Sequence, residues 1–153
     1  MKQLNIKKTH KDALIPAYQT VGAAGFDLAS IENAIILPNY TDDEGILAFA
    51  PVVVSTGLSF EIPEGYELEV RGRSGLAFNH DVLAFNGTID SDFTGTVKIK
   101  LYNLSKNTFK VKKGDRIAQG ILKKVEQFTF NQVTEIKKTE RGEKCFGSTG
   151  GTN

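Results

Sequence analysis

The chain has very few of the residues that build disulfides and zinc sites. Among its 153 residues are one cysteine, Cys145, and two histidines, His10 and His80, which lie far apart. One cysteine cannot form an internal disulfide, and these ligands are too few for a zinc site of the Cys/His type. The sequence therefore excludes a disulfide-stapled scaffold and is typical of a protein from a reducing cytoplasm.

Long apolar runs and an excess of one charge are also lacking. No apolar run approaches the ~20 residues that cross a bilayer, and residues 1–10 lack the apolar core of a signal peptide. With 19 basic and 18 acidic side chains, the net charge is +1. That balance implies no broad surface that binds polyanions, although it does not exclude a local cationic site. We expect a cytoplasmic protein (in the host-cell cytoplasm if it is viral) with no membrane partner and no direct nucleic-acid binding.

Helix signals are scarce, and short strand-like runs take their place. These runs cover residues 35–37, 51–54, 58–62, 66–70, 96–101, 109–111 and 117–125. Closely spaced strands between turn residues predict one all-β domain, a sandwich or a barrel. The best helical candidate is Ser74 to His80, where the Ser74 hydroxyl can cap the helix start.

A short acidic loop between two glycines, Gly87 and Gly95, is the most informative motif. Its flanks have the alternation of strands, and we interpret it as a hairpin that holds the Asp90 carboxylate in a fixed place. Glycine lets a ligand approach the backbone because no Cβ is in the way. The pair Asn86-Gly87 is also typical of a simple turn, so the loop alone does not decide the function.

Two further motifs suit an anion. Arg73-Ser74-Gly75 offers a cation beside the amides and hydroxyl of a helix start, although Arg73 can also be an ordinary surface residue. Gln119 is either a polar neighbour of a phosphate or an ordinary strand-face residue. Asp27 lies between two apolar residues, which is costly on a strand unless the carboxylate has a partner. A hydrated Mg²⁺ near a triphosphate would supply one.

The glycine-rich tail, residues 139–153, is too polar to pack a core. Arg141 can clamp phosphate oxygens, the backbone amides and the Ser148 and Thr149 hydroxyls can wrap them, and Phe146 can stack on a base. The alternative is a tail that is simply frayed.

Taken together and in order, these segments resemble the five motifs of the trimeric deoxyuridine triphosphatase (dUTPase) family. The motifs are AGFDL at 24–28, RSGLA at 73–77, GTIDSDFTG at 87–95, GDRIAQ at 114–119 and RGEKCFGSTG at 141–150. The resemblance extends from about residue 15 to residue 151. It implies a jelly-roll-like dUTPase barrel over residues 1–138 and a flexible C-terminal arm over residues 139–153, which closes over a neighbouring subunit's active site.

The resemblance also implies a reaction. dUTP is hydrolysed to dUMP and pyrophosphate by water attack at the α-phosphate with Mg²⁺, which limits uracil incorporation into DNA and supplies dUMP for thymidylate synthesis. Asp90 matches the carboxylate that positions and deprotonates the water, and Asp27 matches the one that orders water around the metal. A fixed general base typically contributes ~10²–10⁴-fold. The positions that match phosphate contacts are Arg73, Ser74, Gln119, Arg141, Ser148 and Thr149. The other implied substrate-binding residues are Gly75, Asn86, Gly87, Ile89, Phe93, Lys98, Phe146 and Gly147.

The family reads uracil through the hairpin backbone, here near Gly87 and Lys98, and Phe146 matches the aromatic that covers the ring. Phe93 stands where the family usually has Tyr against the deoxyribose. Because a phenyl ring keeps the stacking face, we expect the exclusion of a 2′-hydroxyl to survive. Family members are homotrimers in which each site draws residues from three chains.

This sequence departs from the family pattern at two other places. Gly72 stands where Pro is frequent, and Lys144-Cys145 replace residues that are usually small. Residues Asn39 to Gly45 form a polar insertion, which we expect to be a solvated loop.

Two other functions use a similar scaffold. A deoxycytidine triphosphate deaminase needs a Glu on the strand after the hairpin, and the matching residue here is Lys100. The other is a non-catalytic nucleotide sensor. Asp90, Arg73 and the tail argue against it, because a protein that only binds a nucleotide does not need the base.

Overall fold

Extended segments dominate the chain, as the scarcity of helix signals predicts. The computed structural model describes residues 3–41, 43–45 and 47–143. Within those ranges lie thirteen strands and one helix: β1 (Asn5–Lys8), β2 (Phe26–Ala29), β3 (Ala34–Ile36), β4 (Tyr40–Thr41), β5 (Leu47–Ala48), β6 (Val52–Ser55), β7 (Leu58–Glu61), β8 (Tyr66–Arg71), α1 (Ser74–His80), β9 (Val82–Ala84), β10 (Gly87–Ile89), β11 (Lys98–Asn103), β12 (Phe109–Val111) and β13 (Arg116–Lys124). The prediction of an all-β, jelly-roll-like fold with one short helix is confirmed.

Small antiparallel sheets make up the molecule. The largest has the strand order β10-β8-β13-β2, and a three-stranded sheet has the order β6-β11-β9. The pairs β1-β7, β12-β3 and β4-β5 complete the paired strands of the described residues. All of these pairings join segments that are distant in sequence except β4-β5, so the sheets hold the motifs of the whole chain in one body.

The core lies between the sheets, and the alternation of the strands builds it. On β8 the side chains of Leu68 and Val70 are buried, whereas Glu67 and Glu69 point to the opposite face. The largest buried residues elsewhere include Leu28, Ile36, Leu58, Ile99, Leu101 and Ile117. Each such side chain contributes about 1.5–3 kcal/mol by leaving water, and the core therefore fixes which faces of the strands stay free for function.

The strand after Asn86 does not form the hairpin that we predicted. Residues Gly87 to Ile89 pair with β8 instead, with Gly87 opposite Val70 and Ile89 opposite Leu68. β11 pairs with β6 and β9. The hairpin interpretation is therefore wrong in its pairing, because β10 and β11 belong to different sheets.

The helix prediction is confirmed in its bounds but not in its cap. α1 runs from Ser74 to His80, yet its N-cap residue is Arg73, whose backbone is extended, and no side chain caps it. Ser74 is the first helical residue, so its hydroxyl is not the cap. At the other end Asp81 has a left-handed backbone (φ 53°), and its amide donates to the Ala77 carbonyl oxygen.

The polar insertion is more ordered than a solvated loop. β4 and β5 pair across it, with Tyr40 opposite Ala48 and Thr41 opposite Leu47. The Asn39 side-chain amide donates to the Leu104 carbonyl oxygen at 3.0 Å, which ties the base of this hairpin to the barrel. The helix among the described residues is too short to span a bilayer.

Candidate active site

Asp27 lies at the centre of the first group of predicted site residues. Its side chain is only 9% exposed, on strand β2 between the buried Phe26 and Leu28. Arg116 donates from Nη1 to Asp27 Oδ2 at 3.1 Å, and Arg73 Nε lies 3.0 Å from Oδ1. The Arg73 N–H is not aimed at Oδ1, which accepts no hydrogen bond. Two guanidinium groups thus partner the carboxylate for which the sequence suggested a hydrated metal ion.

Gln119 lies on the same sheet face as Asp27. The two residues are directly opposite each other on β13 and β2, and residues that face each other across an antiparallel pair project to one side, with Cβ atoms about 5 Å apart. Gln119 is half-buried. The structure therefore brings together Asp27, Arg73 and Gln119, from three of the five motifs.

The exposed Ser74 and Gly75 follow Arg73 in α1. A cavity of about 680 Å³ lies beside them, lined by Gly72, Arg73, Ser74, Ala77, Leu83, Ala84, Phe85, Asn86 and Tyr102. Asn86 therefore borders the same space as Arg73 and Ser74.

Asp90 lies in a second place, at the start of a tight turn. The Phe93 amide donates to the Asp90 carbonyl oxygen at 3.1 Å, which closes a four-residue turn. The residue is exposed, and among the described residues its carboxylate has no hydrogen bond or ion pair. It borders a cavity of about 530 Å³ together with Glu67. The turn fixes the backbone of Asp90 while its carboxylate faces open space.

Phe93 and Gly95 form a matched pair in this turn. A Cβ built on Gly95 would lie 2.6 Å from Cζ of the Phe93 ring, so the ring covers the glycine. The ring is still 43% exposed. Its outer face is therefore free to contact a ligand.

Asp90 and Arg73 are far apart within one chain. Asp90 follows Ile89, which pairs with Leu68, and lies level with Glu67, whereas Arg73 is six residues further along extended backbone. At about 3.3 Å per residue, the two are separated by roughly 20 Å. One chain therefore supplies two half-sites that do not meet.

Next to the Asp90 turn, the consecutive strands β9 and β10 belong to different sheets. β9 pairs with β11 only over Leu101–Asn103, and after Phe85 the chain crosses to β8 as β10. β10 is the outer strand of its sheet. Among the described residues, β10 therefore has no strand partner on the side away from β8. Lys98 of β11, which pairs with Ser55 of β6, has no strand partner on the side of β9.

The tail residues divide between described and undescribed parts. Arg141 is exposed beyond the last strand. Phe146, Gly147, Ser148 and Thr149 lie outside the described residues, as does Cys145. The sequence argument missed Arg116, although it adjoins Gln119 in the same motif, because nothing in the spacing shows which carboxylate its guanidinium reaches.

The comparisons with known proteins agree with these motifs. Residues 11–150 match the family model described as dUTPase. The chain is 49% identical over 150 residues to a deoxyuridine 5′-triphosphate nucleotidohydrolase of Nautilia profundicola, covering 97% of this chain and 99% of that protein. It is 43% identical to the protein of that name from Helicobacter pylori, covering 97% of each. Among solved structures, the dUTPase of Staphylococcus bacteriophage 80alpha (G164S mutant with dUpNHpp) superposes with a TM-score of 0.85 at 26% identity, covering 98% of this chain and 99% of that one. The chain belongs to the dUTPase family.

Proposed function

We propose that this chain hydrolyses dUTP to dUMP and pyrophosphate, with water attacking the α-phosphate. The observation that carries the proposal is the grouping of Asp27, Arg73 and Gln119 on one face, in a chain whose near-full-length relatives are named deoxyuridine 5′-triphosphate nucleotidohydrolases. A cation, a carboxylate and an amide at one place suit a ligand that carries dense negative charge. The physiological consequence is less uracil in DNA and a supply of dUMP for thymidylate synthesis.

Asp90 is the general base in this proposal. Water is a poor nucleophile, and a carboxylate within hydrogen-bond reach removes its proton as the bond to phosphorus forms. Supporting this role, the Asp90–Phe93 turn fixes the backbone and leaves the carboxylate exposed.

Arg73, Ser74, Gly75 and Gln119 bind the phosphates. Arg73 keeps donors on the side of its guanidinium that faces away from Asp27, and a guanidinium binds phosphate oxygens through two parallel hydrogen bonds. In the tail, Arg141, Gly147, Ser148 and Thr149 add further donors, and Phe146 covers the base.

Mg²⁺ is the expected metal, and the residues present fit it. Asp27 Oδ1 is buried and accepts no hydrogen bond among the described residues, so it can accept one from a water of the metal's shell. No group of three or more His, Cys, Asp or Glu side chains in the described part of the chain could hold a metal ion by itself. Mg²⁺ usually needs only one or two carboxylates, direct or through water, plus substrate phosphates. When bound, it neutralises the negative charge of the triphosphate.

Uracil and deoxyribose are selected beside the Asp90 turn. The unpaired edges of β10 and β11, at Gly87, Ile89 and Lys98, offer backbone N–H and C=O groups that can mimic a pairing base, with Asn86 at their entrance. A site built to pair with uracil rejects cytosine because its donors and acceptors are left unpaired. Phe93 packs against the sugar and leaves no room for a 2′-hydroxyl.

A homotrimer with shared sites completes the proposal. Asp90 and Arg73 of one chain are ~20 Å apart, which is too far for one substrate site. The two residues can share a site if Asp90 of one subunit lies next to Arg73 of another. A closed threefold ring repeats that contact three times. We propose that residues 139–153 are the arm of such a trimer and close over a neighbour's site. A cytoplasmic location and the lack of nucleic-acid and membrane partners stay predictions.

The decisive experiment is pyrophosphate release. The wild-type protein should release pyrophosphate from dUTP and far less from dCTP, dTTP and UTP. Asp90→Asn should lower kcat by about 10²–10⁴-fold, the usual contribution of a general base, while still binding dUTP. Equal turnover of dUTP by Asp90→Asn would remove Asp90 from the mechanism, and ammonia release from dCTP would favour the deaminase.

A further inference from the structure

Arg116 contacts both partners of the phosphate-binding group at once. Its guanidinium donates to Asp27 Oδ2 at 3.1 Å, and its backbone carbonyl accepts a hydrogen bond from Arg73 Nη1 at 2.9 Å. Asp27 and Arg73 in turn form an ion pair at 3.0 Å. The three residues therefore form a closed ring of contacts in which Arg116 provides two of the three links.

An irregularity of strand β13 makes this double contact available. The register with β2 shifts between Arg116, which is opposite Ala29, and Ala118, which is opposite Leu28. The shift leaves Ile117 without a partner on β2 and bends the strand next to Arg116. At this bend the Arg116 carbonyl oxygen accepts a hydrogen bond from Arg73 Nη1.

The charges explain why Asp27 needs Arg116 as well as Arg73. A carboxylate that is only 9% exposed must keep a partner, because leaving it unpaired is costly. If Arg73 were its only cation, a phosphate that attracts Arg73 would strip Asp27 of its partner. Arg116, with half of its side chain exposed, can hold Asp27 while Arg73 engages a ligand.

The same ring orients Arg73. Its Nη1 donates to the Arg116 carbonyl oxygen and its Nε lies 3.0 Å from Asp27 Oδ1, and these two contacts restrict the orientation of the guanidinium. Of its five N–H donors, one donates a hydrogen bond within the described residues, which leaves donors for a phosphate. A guanidinium held in this way loses less conformational entropy when it binds a phosphate.

We propose that Arg116 is a positioning residue for the triphosphate: it holds Asp27 through its guanidinium and so keeps Arg73 aligned. The inference rests on the proposed function, in which Arg73 contacts phosphate. It assigns no contact between Arg116 and the substrate.

The test separates binding of the β- and γ-phosphates from binding of the nucleoside monophosphate. Wild type and Arg116→Gln are titrated calorimetrically with dUpNHpp, a non-hydrolysable analogue of dUTP, and with dUMP. We expect the Kd for dUpNHpp to rise about 10-fold, the scale of one hydrogen bond to a charged group, while the Kd for dUMP stays within about 2-fold of wild type. Arg116→Lys, which keeps a cation near Asp27, should recover part of the loss.

Lys113→Gln is the matched control. Lys113 is as exposed as Arg116, pairs with Asp12 at 2.7 Å and lies three residues earlier, but it contacts neither Asp27 nor Arg73. It should bind both ligands as wild type does. Thermal melting of each variant reports folding, and Arg116→Lys carries the test if Arg116→Gln does not fold.

Two results would overturn the proposal. One is unchanged dUpNHpp binding by Arg116→Gln, and the other is an equal loss for dUpNHpp and dUMP, which would indicate a merely structural role. Arg73→Gln in the same series distinguishes this failure from that of the proposed function. If Arg73→Gln binds dUpNHpp normally, the phosphate role of Arg73 is wrong; if only Arg116→Gln is normal, the positioning role alone is wrong.

Discussion

Gly95 and Gly120 are two glycines whose missing side chain is replaced by an aromatic ring. A Cβ on Gly95 would lie 2.6 Å from the ring of Phe93, and a Cβ on Gly120 would lie 2.6 Å from the ring of Phe26. Neither glycine has a positive φ, so only steric exclusion is at stake. The rings differ in freedom, because Phe93 is 43% exposed and Phe26 only 4%. The same added methyl group should therefore have different effects.

Gly95→Ala should lower the catalytic efficiency for dUTP with little loss of stability. The Phe93 ring can swing into solvent, so we expect the Tm to change by less than about 2 °C. The displaced ring no longer packs on the deoxyribose, and kcat/KM for dUTP should fall about 10-fold or more while the preference for dUTP over UTP narrows. Steady-state kinetics with both nucleotides measure this. Gly22→Ala is the control, since nothing lies within 4 Å of its Cβ; unchanged kinetics of Gly95→Ala would contradict the role of Phe93.

Gly120→Ala should destabilise the fold. Its new methyl group meets Phe26 and, at 3.0 Å, Leu68, and both side chains are buried in the core. Overpacking of this kind costs about 1–3 kcal/mol. Urea unfolding should show a lower midpoint with the same slope, and Gly22→Ala should match wild type. A midpoint equal to that of wild type would mean that the core yields more easily than its packing suggests.

Phe93 in the wild-type protein leads to a prediction about the choice between deoxyribose and ribose. Phe93 keeps the flat face that packs on a sugar and lacks only the hydroxyl of the tyrosine that is usual in the family. We expect kcat/KM for dUTP to exceed that for UTP by at least about 10-fold, because a 2′-hydroxyl would collide with the ring. Comparable values for the two nucleotides would refute it.

At the scale of elements, strands β8 and β13 are the two central strands of the largest sheet, and their outer face carries charged side chains. Lys123 Nζ lies 2.8 Å from Glu69 Oε2, and Arg71 also pairs with that oxygen. Both contacts are ion pairs. Lys123, and then Arg71, hold the pKa of the Glu69 carboxyl below its usual range. The Lys123–Glu69 pair bridges the neighbouring strands β13 and β8, whereas Arg71 lies on β8 with Glu69. The stability of the β8–β13 pair therefore depends on pH.

Lys123→Gln should make the fold less sensitive to acid. Because the folded pKa of Glu69 is depressed, its stabilising contribution is complete above the unfolded pKa of about 4.3 and is lost as pH falls through the folded value. The variant should melt at a lower temperature than wild type at pH 7, by no more than a few °C for a partly exposed pair, and the difference should shrink as pH falls below about 4.3. Melting curves from pH 7 into the acid range measure this. A difference that does not shrink in acid would indicate lost packing and not lost charge.

At the scale of the whole molecule, one chain separates the groups that the proposed reaction needs together. Asp90 and Arg73 lie at opposite ends of β8, about 20 Å apart. Beyond β13, residues 125–143 are all exposed, with Phe130 fully so. Both features are explained if copies of the chain assemble and exchange contacts.

Two inactive variants should therefore restore each other. Asp90→Asn and Arg73→Gln are each expected to be inactive, but when they are unfolded and refolded together, mixed trimers form. A site with Asp90 from one variant and Arg73 from the other arises in about one quarter of cases if assembly is random. Pyrophosphate release near one quarter of the wild-type rate is expected. Activity no greater than the mean of the two separately refolded variants would mean that each site is built within one chain.

Removal of the arm should separate catalysis from folding. A chain ending at residue 140 loses no strand and no core residue of the described part, so its circular dichroism and Tm should stay close to those of wild type. Turnover of dUTP should be abolished, because Arg141 and the glycine-rich segment no longer close the site. Full activity of the truncated chain would remove the arm from the mechanism.

The secondary structure was readable from the sequence where alternation is regular. The helix at residues 74–80 and the strand at 109–111 have the predicted bounds, because their patterns end at clear turn residues. The pairing of β10 was not readable. From the sequence, residues Gly87 to Ile89 could pair equally well with β11 or with β8. The choice depends on where the chain crosses between the sheets after Phe85, and no local pattern encodes that crossing.

The sequence by itself determined the all-β class, the family and the identity of the residues that carry the chemistry, because these depend on residue type, order and spacing. Only the tertiary structure decided which of them meet. It paired Asp27 with two arginines, joined the Arg116 carbonyl to Arg73 Nη1 beside a register shift of β13, and held Asp90 apart from both. The physical reason is that side-chain charges and backbone hydrogen bonds find their partners across strands that are distant in sequence, and that choice depends on the packing of the whole core.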